Sequence, residues 1–230
     1  MVNELGESHV GQNLWRHGLW KPAPCPRRCK DHRHRYRALN VDLFKGESHT
    51  PEFLKLNPHG LTPVLQEGDT IIWEASAINI YLADKVSSPL LGKTSKERYE
   101  VLQRMFWSGE QWRVFWTLVF NERVAGRAMG QPEDVSIVNL MLKNIRAAAH
   151  VLDAHLADRQ FIVGDELTLA DIDIAAPFSQ VHRTKAPLAE FPNLRAWQQR
   201  LLDTVSAWAE TKRDLDDRVD ASLNGIGIAF

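Results

Sequence analysis

At 230 residues with a net charge of −1, the chain suits one large domain or two modest ones and offers no bulk attraction to a polyanionic partner. No apolar run is long enough to span a bilayer and the opening residues lack the apolar core of a secretory signal, so a cytoplasmic protein with neither membrane nor nucleic acid as partner is expected. The only cysteines, Cys25 and Cys29, are too few for a disulfide scaffold, whereas the eight tryptophans are unusual, with Trp107, Trp112 and Trp116 crowding one segment.

Residues 1 to about 38 show no hydrophobic period and are rich in Arg, His, Pro and Cys, which by pattern alone reads as loop or disorder. From Leu39 the text becomes orderly. "LNVDLF" reads as a strand, and "TPEFLKL" as a short helix capped by Thr50 with Pro51 in its first position. "TPVLQEGDTIIW" reads as a hairpin turning at Gly68 and Asp69, followed by a helix from Glu74 to Val86 with Ile78, Tyr81 and Leu82 on one face.

"SSPLLGKTSKE" (87–97) has the Ser, Pro and Gly content of a linker. Beyond it, helical periodicity runs over about 96–126 and about 132–157 and resumes from Thr168 and from Pro192. The pattern predicts a small α/β part (39–86), a linker (87–97) and an all-helical part (98–230) behind an atypical segment (1–38).

Pro63 stands where the flanking residues ask for a strand. Proline has no N–H to give a ladder, so it belongs at an edge, a strand start or a bulge. A backbone wanted for something other than the sheet would account for it, and a cis X-Pro bond in a tight turn would present that backbone.

"VDLFKGESHTPEFLKLNPHGLTPVLQEGDTIIWEASAINIYL" resembles the second half of the thioredoxin-like domain of glutathione S-transferases, of the cytosolic, bacterial theta/phi-like kind. "FIVGDELTLADIDIAAPF" is similar to the start of the core helix of their C-terminal domain. The motifs Asn-Pro-x-Gly-x-x-Pro-Val-Leu, Glu-x-x-Ala-Ile-x-x-Tyr-Leu and Gly-Asp-x-Leu-Thr-x-Ala-Asp-Ile stand in the family's order and spacing. The resemblance implies a thioredoxin-like N-terminal domain, altered in its first strand and helix, followed by a C-terminal helical bundle.

It also implies a chemistry: attack of the glutathione thiolate on a hydrophobic electrophile, usually by a homodimer, with glutathione as co-substrate, no separate cofactor and no metal. By the resemblance Pro63 is cis and Thr62 exchanges backbone hydrogen bonds with the cysteinyl part of glutathione, a pairing akin to strand addition. Glu74 and Ala75 stand where the family has a Glu-Ser pair that holds the γ-glutamyl end at a helix N-terminus. Ala75 lacks the hydroxyl, a loss of roughly 1.5–3 kcal/mol for a bond to a charged group unless Ser76 substitutes. Leu61 likewise replaces a common Lys or Gln, and Ser48 a His. In the family the helix carrying "MFWSGEQWRVFWTLVF" borders the co-substrate site, so Trp107, Trp112, Phe115 and Trp116 are candidates to line an apolar pocket, with core packing the competing role. Thr168 and Asp171 form an N-capping box, and a structural role is expected for Asp171.

The thiolate-stabilising Tyr, Ser or Cys that should follow the first strand is not recognisable, and the catalytic residue is unassigned. Ser8 is nearest in position. Cys25 and Cys29 are spaced one residue too far for a thioredoxin-type dithiol, and the set Cys25, Cys29, His32, His34 leaves little chain to wrap a tetrahedral metal. Arg27, Arg28, Lys30, Arg33, Arg35 and Arg37 read alternatively as a basic arm.

A frameshift accounts for this stretch better. Read one nucleotide forward, the codons of Leu19-Trp20 admit Tyr-Gly, those of Trp20–Pro22 give Gly followed by Asn or Ser, and those of Asp31–Ala38 admit Ile-Ile-Gly-Ile-Asp-Ile-Glu. "YGN…GIDIE" before "LNVDL" is how such a transferase begins. Made as written, the chain is expected to leave the remaining sheet with an open edge, to be poorly soluble and to lack turnover. The rival function is a non-catalytic relative acting through binding or dimerisation.

Overall fold

The computed structural model describes residues 12–15, 37–41 and 46–224. The chain divides into two compact units, Met1–Ser88 and Pro89–Phe230.

The first unit is built on a mixed four-stranded sheet. Strands β1 (Gln12–Trp15), β2 (Arg37–Asn40), β3 (Val64–Glu67) and β4 (Thr70–Trp73) lie in the order β2-β1-β3-β4. β1 runs parallel to β2, with Gln12 opposite Arg37, and antiparallel to β3, with Leu14 opposite Val64. The expectation of unbroken loop through residue 38, with the first strand missing, is therefore corrected: a four-residue strand fills the central place. Ladder hydrogen bonds come from the backbone whatever the side chains, so a stretch without a clear hydrophobic period can pair when partners flank it on both sides. β3 is consequently an interior strand, and the ground for expecting an open edge there falls away. β2 starts at Arg37 and ends at Asn40, earlier at both ends than "LNVDLF" suggests.

The local chemistry after β2 behaves as its sequence dictates. Thr50 caps α1 (Pro51–Leu54), its hydroxyl accepting from the Phe53 N–H at 3.3 Å. The β3–β4 hairpin turns at Gly68-Asp69, with Glu67 opposite Thr70 and Val64 opposite Trp73. Val41, Phe53 and Val64 form the core of this unit, with Leu39 and Leu56 packed against them. Helix α2 (Ala75–Lys85) buries Ile78, Asn79 and Ala83, while Tyr81 and Lys85 both donate to Glu67 and so tie the helix to the hairpin.

The second unit is helical. A 3₁₀ turn (Pro89–Leu91) buries Leu90 and Leu91 inside the stretch whose composition reads as a linker. The first long helix is α3 (Ser95–Ser108), a π-helical turn (Gly109–Arg113), α4 (Val114–Phe120) and a second π-helical turn (Asn121–Gly126). Periodicity predicts one uninterrupted helix here. Each π turn holds an extra residue, which rotates the face presented to the core between the segments on either side. Helix α5 (Val135–His155) buries Val138, Met141, Ile145, Ala149 and Leu152, the spacing its sequence shows.

Helix α6 (Leu169–Ala175) is buried along its whole length and continues through a 3₁₀ turn (Ala176–Gln180) into α7 (Val181–Thr184); α8 (Pro192–Thr204) and α9 (Ser206–Asn224) follow. The Asp171 carboxylate accepts from the Thr168 N–H and hydroxyl (both 2.9 Å), the Ile162 N–H (2.8 Å) and the Trp197 indole N–H (3.1 Å). Burial raises the Asp171 pKa while these donors pull it back. One buried carboxylate thus joins the loop before α6, the start of α6 and α8. A structural role, not a catalytic one, is what these four bonds describe.

His155 anchors the same loop from the other side. A guanidinium can only donate, so Arg104 Nη2 (3.3 Å) requires the lone pair on His155 Nδ1, and the Nε2–H donates to the Ile162 carbonyl (2.9 Å). Burial, reinforced by Arg104 and Arg159, lowers the His155 pKa. A depressed histidine pKa favours the neutral ring, so this stabilisation is complete above the unfolded value of about 6.5 and is lost as the pH falls below it. The melting temperature is expected to drop between pH 7.5 and pH 5.5, and His155→Gln to make that pH dependence shallower. Equal slopes for the two proteins would contradict the assignment.

Candidate functional site

In the first unit the backbone leaves regular structure at two neighbouring points. The Thr62–Pro63 bond is cis, and the β3 ladder starts at Val64, the residue after the proline. Because Val64 pairs with Trp73, Thr62-Pro63 at the start of β3 and Glu74 at the end of β4 lie at the same end of the hairpin. Glu74 is the N-cap residue of α2, is exposed, makes no side-chain cap hydrogen bond and has φ 73° and ψ 119°. A non-glycine residue in that region carries strain of about 1–3 kcal/mol, and such strain is concentrated at functional positions.

The approach to Thr62 is held from below. The buried Asn57 donates through Nδ2 to the Leu61 carbonyl (2.7 Å) and accepts from the His59 N–H (3.1 Å). Gly60 has φ 66°, a backbone conformation that favours glycine, and a Cβ there would come within 2.9 Å of the His49 ring. The His49 ring also meets the Ser48 hydroxyl, 3.0 Å from Nδ1. His59 stacks edge-on against Trp73 at 5.0 Å, and Leu61 is exposed. An aligned row of features results: a backbone lip at Thr62, a carboxylate at Glu74 and, at Ala75-Ser76, the positive end of the α2 dipole. This combination suits a peptide-like ligand bearing an ammonium and a carboxylate at one end.

The aromatic residues of the second unit separate into two groups. Trp112 is fully enclosed: its indole N–H donates to the Ile174 carbonyl at 2.9 Å, and its rings lie 5.3 Å from Trp116 and 6.0 Å from Phe178. Trp116 is likewise buried, against Phe178 at 5.8 Å. Trp107 and Phe115 are half-buried, and Trp107 stacks on Trp112 at 6.3 Å. Beside them Arg113 reaches the buried Asp173 carboxylate at 3.0 Å.

Residues 33–84 match the family model for the glutathione S-transferase N-terminal domain, and residues 133–204 that for its C-terminal domain. Glutathione S-transferase F10 of Arabidopsis thaliana is 30% identical over 185 residues, covering 76% of this chain and 84% of the relative. The chain belongs to the glutathione S-transferase family. Among solved structures, glutathione transferase F7 from Populus trichocarpa superposes with a TM-score of 0.79 at 19% identity, over 90% of this chain and 99% of the other. Human glutathione transferase theta-2, solved in complex with glutathione and an unknown ligand, gives a TM-score of 0.79 at 24% identity, over 94% and 91%. At these identities the structures show the fold: a thioredoxin-like N-terminal domain with a C-terminal helical domain.

The transferase fold thus brings Thr62, Pro63, Glu74 and Ala75 together and places the four aromatic candidates on the first long helix of the other unit. Ser8, Cys25, Cys29, His32, His34 and the basic run from Arg27 to Arg35 lie outside the described residues, as does any thiolate-stabilising group following β1. Among the described residues no cluster of His, Cys, Asp and Glu is arranged to hold a metal ion, and no helix is long and apolar enough to cross a membrane. Sequence reasoning missed the docking of His49 on Gly60. The signal was available: a glycine two residues before Thr62, in a turn with a histidine in the preceding helical turn, marks close packing.

Proposed function

We propose that the protein binds glutathione along the Thr62–Glu74 lip and conjugates its thiol to a hydrophobic electrophile. The observation that carries this reading is the register that sets the Thr62-Pro63 backbone beside the strained, exposed Glu74 at the head of α2. The α-ammonium of the γ-glutamyl group meets the Glu74 carboxylate, its carboxylate meets the α2 N-terminus, and the cysteinyl amide pairs with Thr62. Binding both substrates makes the reaction effectively unimolecular. His49, whose Nδ1 lies 3.0 Å from the Ser48 hydroxyl, offers its other ring nitrogen as a hydrogen-bonding group for the peptide's other carboxylate. On the helical unit, Trp107 and Phe115 keep the exposure needed to touch an apolar co-substrate, with Trp112 and Trp116 as their support. Homodimerisation and a cytoplasmic location follow the family habit.

Restoring the missing hydroxyl tests the glutathione end directly. Ala75→Ser is expected to tighten glutathione binding about tenfold, the value of one hydrogen bond to a charged group. Calorimetric titration of both proteins measures it, and equal affinities would remove Ala75 from the site.

Ala75 also favours a second reading, a transferase relative that binds weakly and does not turn over. Retention on glutathione resin without conjugation of a model electrophile would select it. The frameshift over Gly18–Ala38 belongs to the same question. The N-terminal family match begins at residue 33, inside the stretch read in the alternative frame. Sequencing the gene across this stretch decides whether "YG…GIDIE" is restored. Salt-dependent nucleic-acid binding that disappears on removal of the first 38 residues would instead support a basic arm.

A further inference from the structure

The ion pair between Arg113 and Asp173 is a buried charge that the conjugation reading leaves without a role. Helix α6 is enclosed along its whole length, and the Asp173 side chain within it is 0% exposed. A carboxylate is costly to bury, and an ion pair in such a place is generally no more stabilising than an apolar pair of the same shape. Stability alone does not account for it. The best-attested use of such a pair is to fix one conformation against close competitors.

The conformation at stake is the first π-helical turn, Gly109–Arg113. π geometry is rare, and the α-helical register is its standing competitor. Two consecutive residues of the turn are fastened to two consecutive residues of α6: Trp112 donates its indole N–H to the Ile174 carbonyl (2.9 Å), and Arg113 Nε lies 3.0 Å from Asp173 Oδ1. Gly109 leaves room for the guanidinium, since a Cβ there would meet Arg113 Nη2 at 3.4 Å. The turn governs the two half-buried aromatic residues that flank it. Trp107 stacks on Trp112 at 6.3 Å with the ring planes 16° apart, and Phe115 lies in α4, the helix into which the turn leads. A lapse by one residue to the α register would swing Phe115 by about 100° around the helix axis relative to Trp107.

We infer that Arg113, held by Asp173, is a positioning residue that locks the π turn, sets Trp107 and Phe115 relative to each other and thereby selects flat aryl electrophiles as co-substrates. Rings held at a fixed angle reward a flat aromatic partner more than a flexible alkyl one. The inference rests on the conjugation reading, in which these two side chains touch the apolar co-substrate.

The test compares the full parent chain with the double variant Arg113→Met with Asp173→Leu, which removes both charges together and so strands neither in the interior. Each is titrated calorimetrically with glutathione, S-(4-nitrobenzyl)glutathione and S-hexylglutathione. In the double variant the nitrobenzyl ligand is expected to bind about tenfold more weakly, the hexyl ligand to lose less, and glutathione to stay within about twofold of the parent. Arg113→Lys keeps Asp173 paired but lacks the rigid fork, and should show the same pattern at smaller size even if the double variant does not accumulate. In a Trp107→Ala background the double substitution should cost the nitrobenzyl ligand little more, because the ion pair acts through that ring. Nitrobenzyl affinity unchanged in the variants, or equal losses for all three ligands, would overturn the inference and leave the conjugation reading standing. A parent chain that binds none of the three would overturn the conjugation reading, and this inference with it.

Discussion

Asp171→Ala is expected to destabilise the helical unit by about 4 kcal/mol, because it strands the Ile162, Thr168 and Trp197 N–H donors in a dry interior at about 1–3 kcal/mol each before relaxation. All three bonds, and that from the Thr168 hydroxyl, end on a single carboxylate that is 0% exposed. For a chain of this size each kcal/mol corresponds to about 2–4 °C, so the melting temperature should fall by about 8–16 °C or the variant should fail to accumulate. Asp171→Asn keeps the shape but replaces an acceptor oxygen by a donor, and should lie between the two. Melting of soluble Asp171→Ala at the parent temperature would show that the α6 box does not hold the loop and α8 together.

Glu74→Gly should move stability and binding in opposite directions. Glycine adopts φ 73° without the steric cost that glutamate bears there, so relief of strain is expected to stabilise the first unit by about 1 kcal/mol. Loss of the carboxylate should weaken glutathione binding by about ten- to a hundredfold. Glu74→Gln separates the two effects: it keeps the strained backbone and discards the charge, so it should lose binding and gain no stability. A more stable protein that binds less tightly is the behaviour of a residue held in an unfavourable conformation for function. If Glu74→Gly binds glutathione as the parent does, Glu74 has no part in the site.

The parts of the fold legible in the sequence are those where local chemistry and tertiary demand agree. Thr50-Pro51 starts α1, Gly68-Asp69 turns the hairpin, and the apolar spacing of Val138 to Leu152 is the buried face of α5. β1 escaped detection because Gln12–Trp15 is too short to display a period, and because its pairing is decided by backbone partners far away in sequence. The two π turns escaped for a related reason: an extra residue in a turn preserves helical composition while shifting the face.

For the proposed site, the residue types at Thr62, Pro63, Glu74 and Ala75 are readable through the family motif. Their juxtaposition is a property of the β3–β4 register and the φ of Glu74, which no residue type announces. The tryptophans show the limit most clearly. One turn apart on a helix, Trp112 and Trp116 suit a pocket or a core equally well, and burial against Phe178 and the bond to the Ile174 carbonyl set them in the core.

The most direct test of the glutathione site is a titration of the isotopically labelled protein with glutathione, following every backbone amide. Saturable shifts concentrated at Thr62, Val64, Glu74, Ala75 and Ser76 are the expected result. Saturation with those amides unmoved, or no saturable shift at all, would contradict the placement of glutathione on this lip.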